Sequence, residues 1–165
     1  MKKPVVVDTN VLLVASEKAR QANASCVQSC SDRLFSIRKQ GVLTVDSGFR
    51  IIKEYKNKNS PTGEPGLGDE FLLWVLTNWT NPDYCDVVEI TSRNDSDDDF
   101  LEFPDDPELA TFDRSDRKFV AVARASQHRP TILNATDSDW WVHREVLEKH
   151  GVAIEFLCPD QFKPS

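Results

Sequence analysis

No stretch of the 165 residues approaches the ~20 consecutive apolar positions that a membrane-spanning helix needs. The opening, "MKKPVVVDTN", holds an apolar run far shorter than the hydrophobic region of a secretory leader. With neither feature, the chain is expected in the cytoplasm. Histidine is scarce, and His128, His143 and His150 have no ligand-like spacing, so a surface position is expected for each. Cysteine is scarce as well: of Cys26, Cys30, Cys85 and Cys158, only the first two are regularly spaced. Residues four apart share a helix face, so Cys26 and Cys30 could be two metal ligands, but no His or further Cys stands near them. The expectation is therefore of small residues packed under a helix in a reducing compartment.

Repeats and linker-like stretches are also missing. With 39% of residues hydrophobic and 28% charged, the chain has enough apolar surface for one sizeable core, and a single domain over residues 1–165 is expected. Bases are absent from one stretch, "DSDDDFLEFPDDPE", which holds eight acids: Asp95, Asp97, Asp98, Asp99, Glu102, Asp105, Asp106 and Glu108. Of the 27 acids in the chain these eight leave 19, against 20 Lys and Arg, so the net charge of −7 is local to this stretch. With Pro104 and Pro107 in it, the segment at about 92–112 is expected to be a flexible acidic loop that cannot fold by burial.

What remains alternates strand and helix. Three valines before Asp8, without polar alternation, predict a strand covered on both faces. "VLLVASEKARQ" and "ASCVQSCSDRLFSIRKQG" carry apolar residues at helical spacing, and "GVLTVD" is a second buried strand. "DSGFRIIKEYKNKN" is a helix that Asp46 or Ser47 can cap, and "DEFLLWVLTNW" follows a turn-rich break, with Trp74 and Trp79 expected in the core. "DVVEIT" is a third strand. "SDRKFVAVARASQ" is a helix with Ser115 as its expected N-cap and Phe119, Val120 and Ala123 facing inward. "PTILNATDSDWW", "HREVLEKHG" and "VAIEFLCP" supply a fourth strand, a helix closed by Gly151, and a fifth strand. The pattern predicts an α/β fold, a three-layer α/β/α sandwich on a mostly parallel five-stranded sheet.

Acids fall at comparable places in this pattern. Asp8 ends strand one, Glu54 lies in the helix after strand two, Asp116 starts the helix before strand four, and Asp137 and Asp139 follow strand four. In a doubly wound sheet the exits of strands one and four flank the point where strand order reverses, which is where open α/β folds bind ligands. Carboxylates meeting there repel and need cations, and hard oxygen ligands suit Mg²⁺ or Mn²⁺. Taken singly, Asp8 and Asp116 would be helix caps, Glu54 a solvated side chain, and Asp137 and Asp139 an ordinary turn. Their joint order argues for a site.

That order is also what a known family shows. With "VVVDTNVLL", Glu54 in "RIIKEYK", Asp116 in "SDRKFVAVA" and "ILNATDSDWW", the chain resembles the PIN domain, the nuclease fold of bacterial toxin ribonucleases and eukaryotic RNA-processing factors. The resemblance spans Val5 to Trp141. It implies a metal-dependent endonuclease, acting on RNA with one or two Mg²⁺ or Mn²⁺ ions held by Asp8, Glu54, Asp116 and either Asp137 or Asp139. Both forms of the last motif are satisfied here. Thr9 and Asn10 match the polar pair after the first acid, with Asn10 expected to orient a carboxylate or bound water. Ser115 and Thr136 stand beside acids as further supporting polar residues. The acidic loop and the Trp140-Trp141 pair depart from the family's pattern, and the two tryptophans cannot both face inward on one helix.

Bases cluster around the same acids: Arg50, Lys53, Lys56 and Lys58 near Glu54, and Arg114, Arg117 and Lys118 near Asp116. Such residues hold a phosphate backbone without reading bases, although a solvated helix face is the ordinary alternative. The expected partner is nucleic acid, RNA above all, with room for a protein partner such as an antitoxin and for oligomers. The competing function is a non-catalytic PIN-fold scaffold or binding module, with the acidic loop as a docking surface. A phosphatase with an aspartyl nucleophile is disfavoured, since it wants "DxDxT" and Asn10 stands at the second position.

Overall fold

The computed structural model describes residues 2–162. Five parallel strands, β1 (Val5–Val7), β2 (Leu43–Asp46), β3 (Cys85–Val88), β4 (Thr131–Asn134) and β5 (Ile154–Phe156), form one sheet in the order β3-β2-β1-β4-β5. Helices flank the sheet: α1 (Thr9–Ala15), α2 (Ala24–Gln40), α3 (Arg50–Lys58), α4 (Leu67–Asn78), α5 (Arg117–Ala125), α6 (Ser138–Val142) and α7 (Arg144–Lys149). The α/β sandwich predicted from the strand and helix pattern is the architecture observed. β1 is central because its valines can be buried on both faces, Val6 and Val7 completely. The chain leaves β1 toward β2 on one side and reaches β4 on the other, so strand order reverses between β1 and β4. Val5 to Val7 pair with Thr131 to Leu133, and the Asp8 amide continues the ladder onto the Leu133 carbonyl at 3.1 Å.

Helix starts follow local chemistry. Asn23 caps α2 by accepting from the Cys26 amide at 2.8 Å. Asp46, at the end of β2, accepts from the Arg50 and Ile51 amides, both at 2.9 Å, and so starts α3 although Phe49 occupies the position before it in the left-handed region. Asp69 is fully buried in the first turn of α4 and is answered on all sides, by the Gly66 amide (2.9 Å), the Ser60 amide (2.6 Å) and the Lys18 ammonium (2.9 Å). Ser115 is not the cap expected of it. A 3-10 turn, Arg114–Asp116, is capped by Asp113, which accepts from the amide and hydroxyl of Ser115, both at 2.9 Å, and α5 begins only at Arg117.

The acidic stretch is a loop, as expected, but it is folded by burial. Phe100, Phe103, Leu109 and Phe112 are all 3% exposed or less and join the main core, Phe103 stacking on Phe112. Apolar residues interleaved with the acids anchor the segment, while bases outside it answer the charge: Arg117 to Asp99 at 3.0 Å, Arg114 to Asp98 at 2.8 Å, His150 to Asp106 at 2.8 Å. The surface positions expected for histidine hold only for His128. His143 is buried between Thr111, Asp139 and Phe112, because the folded loop covers it, and His150 is half-buried on Asp106.

Cysteine departs from expectation too. Cys26 and Cys158 form a disulfide, their Cα atoms 5.1 Å apart; a separation of 132 residues hides the pair from any spacing argument. Cys30 and Cys85 are free and buried, as small packed residues should be. Trp74 and Trp79 pack half-buried against the core, Trp74 on Phe71 and Tyr84, Trp79 on Phe49. No helix of the described residues is long and apolar enough to cross a membrane.

Gly68 lets α4 lie directly on α1, since a Cβ there would collide with the Leu12 carbonyl. Gly68→Ala is expected to destabilise the fold by about 1–3 kcal/mol through overpacking, measurable as a lowered midpoint in urea unfolding.

Candidate metal centre and adjoining groove

The exit of β1 and the exit of β4 meet across the switch point, and three carboxylates converge there. Oxygens of Asp8, Asp116 and Asp137 lie within 4.8 Å of one another. Asp8 comes from the residue that ends β1 and caps α1: its Oδ1 accepts from the Asn10 amide at 3.0 Å and its Oδ2 from the Trp140 indole N–H at 2.6 Å. Asp116 arrives from the 3-10 turn that opens α5, and Asp137 from the N-cap of α6, where its Oδ1 accepts from the Asp139 amide at 3.0 Å. Asp8 and Asp116 are 4% and 7% exposed.

Burial and mutual repulsion dominate the electrostatics. Loss of water raises the Asp8 carboxyl to about 6, against the pull of its Asn10 and Trp140 donors and with a push from Asp137. Asp116 is raised to about 10, first by burial and then by the charges of Asp8, Asp137 and Asp113. A donor set of three hard oxygens, two of them reluctant to ionise, fits a hard divalent cation.

The sequence-predicted residues divide. Asp8, Asp116 and Asp137 come together. Asp139 does not join them: its Oδ2 accepts from the Asp113 amide at 2.8 Å and its Oδ1 lies 3.2 Å from the buried His143 ring, so it fastens the Asp113 turn to α6. Glu54 stands beside the trio rather than in it, bonded to the Thr9 hydroxyl and paired with Lys118 at 2.8 Å. The Asn10 side chain is bonded to the Asn134 side chain and to backbone rather than to a carboxylate. Its Nδ2 donates to Asn134 Oδ1 at 2.8 Å, and its Oδ1 accepts from the amides of Ala135 (2.9 Å) and Thr136 (3.0 Å). The Thr136 hydroxyl accepts from Gln21, and Ser115 is exposed on Asp113, so neither supports the carboxylates directly.

Three contributors were not foreseen. Asn134 is fully buried at the end of β4 and ties Asn10 to the Asp137 carbonyl; a polar residue closing an apolar strand was its only sequence signal. Asp113 adds charge to the Asp116 environment. Trp140, fully buried, supplies the Asp8 donor, whereas Trp141 turns outward onto Phe156 and Phe162 with Arg144 over its ring.

Next to Glu54 opens a groove of about 980 Å³ lined by Arg50, Lys53, Lys56, Lys58 and Lys118, with Asp97 of the acidic loop at its edge. Arg114 and Arg117 do not line it. Arg117 is mostly buried between Asp99 and the Phe103 ring, and Arg114 is committed to Asp98, so both serve to hold the loop. No protein-family model matches the chain, and no curated protein and no solved structure matches it.

A carboxyl group has an ordinary pKa of about 3.9, so between that value and about 10 the folded chain keeps a proton on Asp116 that the unfolded chain has released. This contribution to stability is complete below pH ~4 and is lost as pH rises. In chelator-treated protein, Asp116→Asn is therefore expected to melt several degrees above the parent at pH 8, the gap closing toward pH 4. Equal melting profiles would show that Asp116 sits in no repulsive cluster. Trp140→Phe keeps a ring against Phe112 but leaves Asp8 Oδ2 without its buried donor, and should cost about 1–3 kcal/mol. A double-mutant cycle with Asp8→Asn, read by denaturant unfolding, should return a non-zero coupling energy.

Proposed function

We propose that the chain is a divalent-metal-dependent endonuclease of PIN-like type that hydrolyses phosphodiester bonds in RNA. The observation that supports this is the trio Asp8, Asp116 and Asp137, oxygens within 4.8 Å, lying beside a groove edged by exposed bases. Asp8, Asp116 and Asp137 would hold Mg²⁺ or Mn²⁺. The ion, when bound, supplies a water of lowered pKa and electrophilic stabilisation of the phosphoryl oxygens.

The chain's own residues account for the rest. Trp140 and the Asn10 amide hold Asp8 in one orientation, so its carboxylate meets a cation without rearrangement. Thr9 and Lys118 keep Glu54 at the mouth of the groove. Lys53, Lys56 and Lys58 offer charge to the phosphates of a single strand, contacts that position the backbone and carry no base preference, while Arg50, tied to Asp46 and Ser92, edges the groove.

The competing reading, a non-catalytic scaffold, is favoured by Arg114 and Arg117 being held by the chain's own acids. Manganese separates the two. Calorimetric titration of the parent with Mn²⁺ should give a saturable binding heat, and single-stranded RNA should be cut in its presence. Asp116→Asn should lose both, activity falling by orders of magnitude while the fold stays intact. A parent that neither binds Mn²⁺ nor cleaves leaves the scaffold standing.

A further inference from the structure

At the junction of α2 with the segment after β5, the sulfurs of Cys26, Cys30 and Cys158 lie within 4.8 Å of one another. Cys26 and Cys30 are one turn apart on the buried face of α2, and Cys158 reaches them from the far end of the fold. The disulfide employs two of these sulfurs. The third, Cys30 Sγ, stands 4.0 Å from Cys158 Sγ and is fully buried, although a staple needs no third thiol. We propose that the cluster has a second state: when the Cys26–Cys158 bond is reduced, the three thiols bind one thiophilic divalent cation of the zinc type.

Distance favours this. Zinc–thiolate bonds of about 2.3 Å in tetrahedral geometry set sulfurs about 3.8 Å apart. Cys30 and Cys158 are already within a few tenths of an ångström of that separation. Cys26 has only to part from Cys158 to ordinary contact, because its helix holds it one turn from Cys30. The cluster adjoins a cavity of about 90 Å³ lined by Cys26, Cys158, Asn23, Ser29, Asp160 and Gln161, room for an ion to enter and for a water to complete its coordination. A dithiol reductant delivers two electrons and two protons to the disulfide, becoming a disulfide itself and leaving two cysteine thiols. Binding then replaces three S–H bonds by sulfur–metal bonds and releases three protons, so the filled site carries one negative charge. Soft thiolates select a different metal class from the carboxylate trio, and the site stands independently of the nuclease proposal.

The test uses the full chain, reduced with a dithiol, freed of it without oxygen and titrated with Co²⁺. One equivalent is expected to produce a thiolate-to-cobalt charge-transfer band with the intense visible bands of tetrahedral cobalt, both abolished by Zn²⁺. Cobalt on carboxylates gives no such charge transfer, so the acidic centre does not interfere. Cys30→Ala leaves the disulfide in place and should weaken the reduced chain's affinity by at least about 100-fold, since losing residues that merely orient ligands costs ~10- to 100-fold. The oxidised chain should show no band. A reduced chain without the bands, or a Cys30→Ala chain with unchanged ones, overturns the proposal. If circular dichroism shows that reduction unfolds the chain, added Zn²⁺ should restore it, and failure to do so also overturns the proposal.

Discussion

A carboxylate removed from water at the end of a parallel strand has to be answered within the protein, and Asp8 is answered by two N–H groups from opposite directions. One belongs to the first turn of α1, the other to the Trp140 indole on α6. Those two bonds fix where the helix starts and how far α6 can stand from the sheet. They do not neutralise the charge, so Asp116 and Asp137 are brought close to an acid that is held in place but still repels them. Such repulsion is tolerable only because burial lets Asp116 keep its proton, or because a cation can take the proton's place.

The acidic loop has the opposite electrostatics. Three of its eight carboxylates are opposed by bases, Asp98 by Arg114, Asp99 by Arg93 and Arg117, Asp106 by His150, and aromatic residues between the acids pack into the core. Arg114 and Arg117 are thereby committed to the loop, whereas Lys118 lines the groove beside Glu54, the basic surface next to the site. Of the expected cationic rim, Arg114 and Arg117 hold the loop, Arg50 is tied to Asp46 and Ser92, and Lys118 to Glu54, while Lys53, Lys56 and Lys58 stand exposed.

Much of this was legible in the sequence where a local pattern had one structural solution. Continuous runs such as "VVV" and "TILN" read as buried strands, and a doubly wound order, the one observed, brings Asp8 to the residues after β4. The choice between Asp137 and Asp139 was not legible, because two residues apart on a helix start they point different ways, and only the path of the Asp113 turn decides which one turns inward. The pairing of Glu54 with Lys118, 64 residues away, is not legible in the sequence, nor is the disulfide, whose cysteines lie 132 apart. The loop was misread since its acids were counted while Phe100, Phe103, Leu109 and Phe112 between them were not weighed.

Asn10 has a mechanical consequence. One amide side chain grips Asn134 and the two amides after it, while its own backbone N–H grips Asp8. Asp8 and Asp137 are therefore mounted on a common bracket, and their separation cannot drift without breaking several bonds at once. Asp116 hangs from a different arm, the turn before α5. That arm is itself fastened to α6 by the bond from the Asp113 amide to Asp139, so the third carboxylate is referred to the same helix start as Asp137.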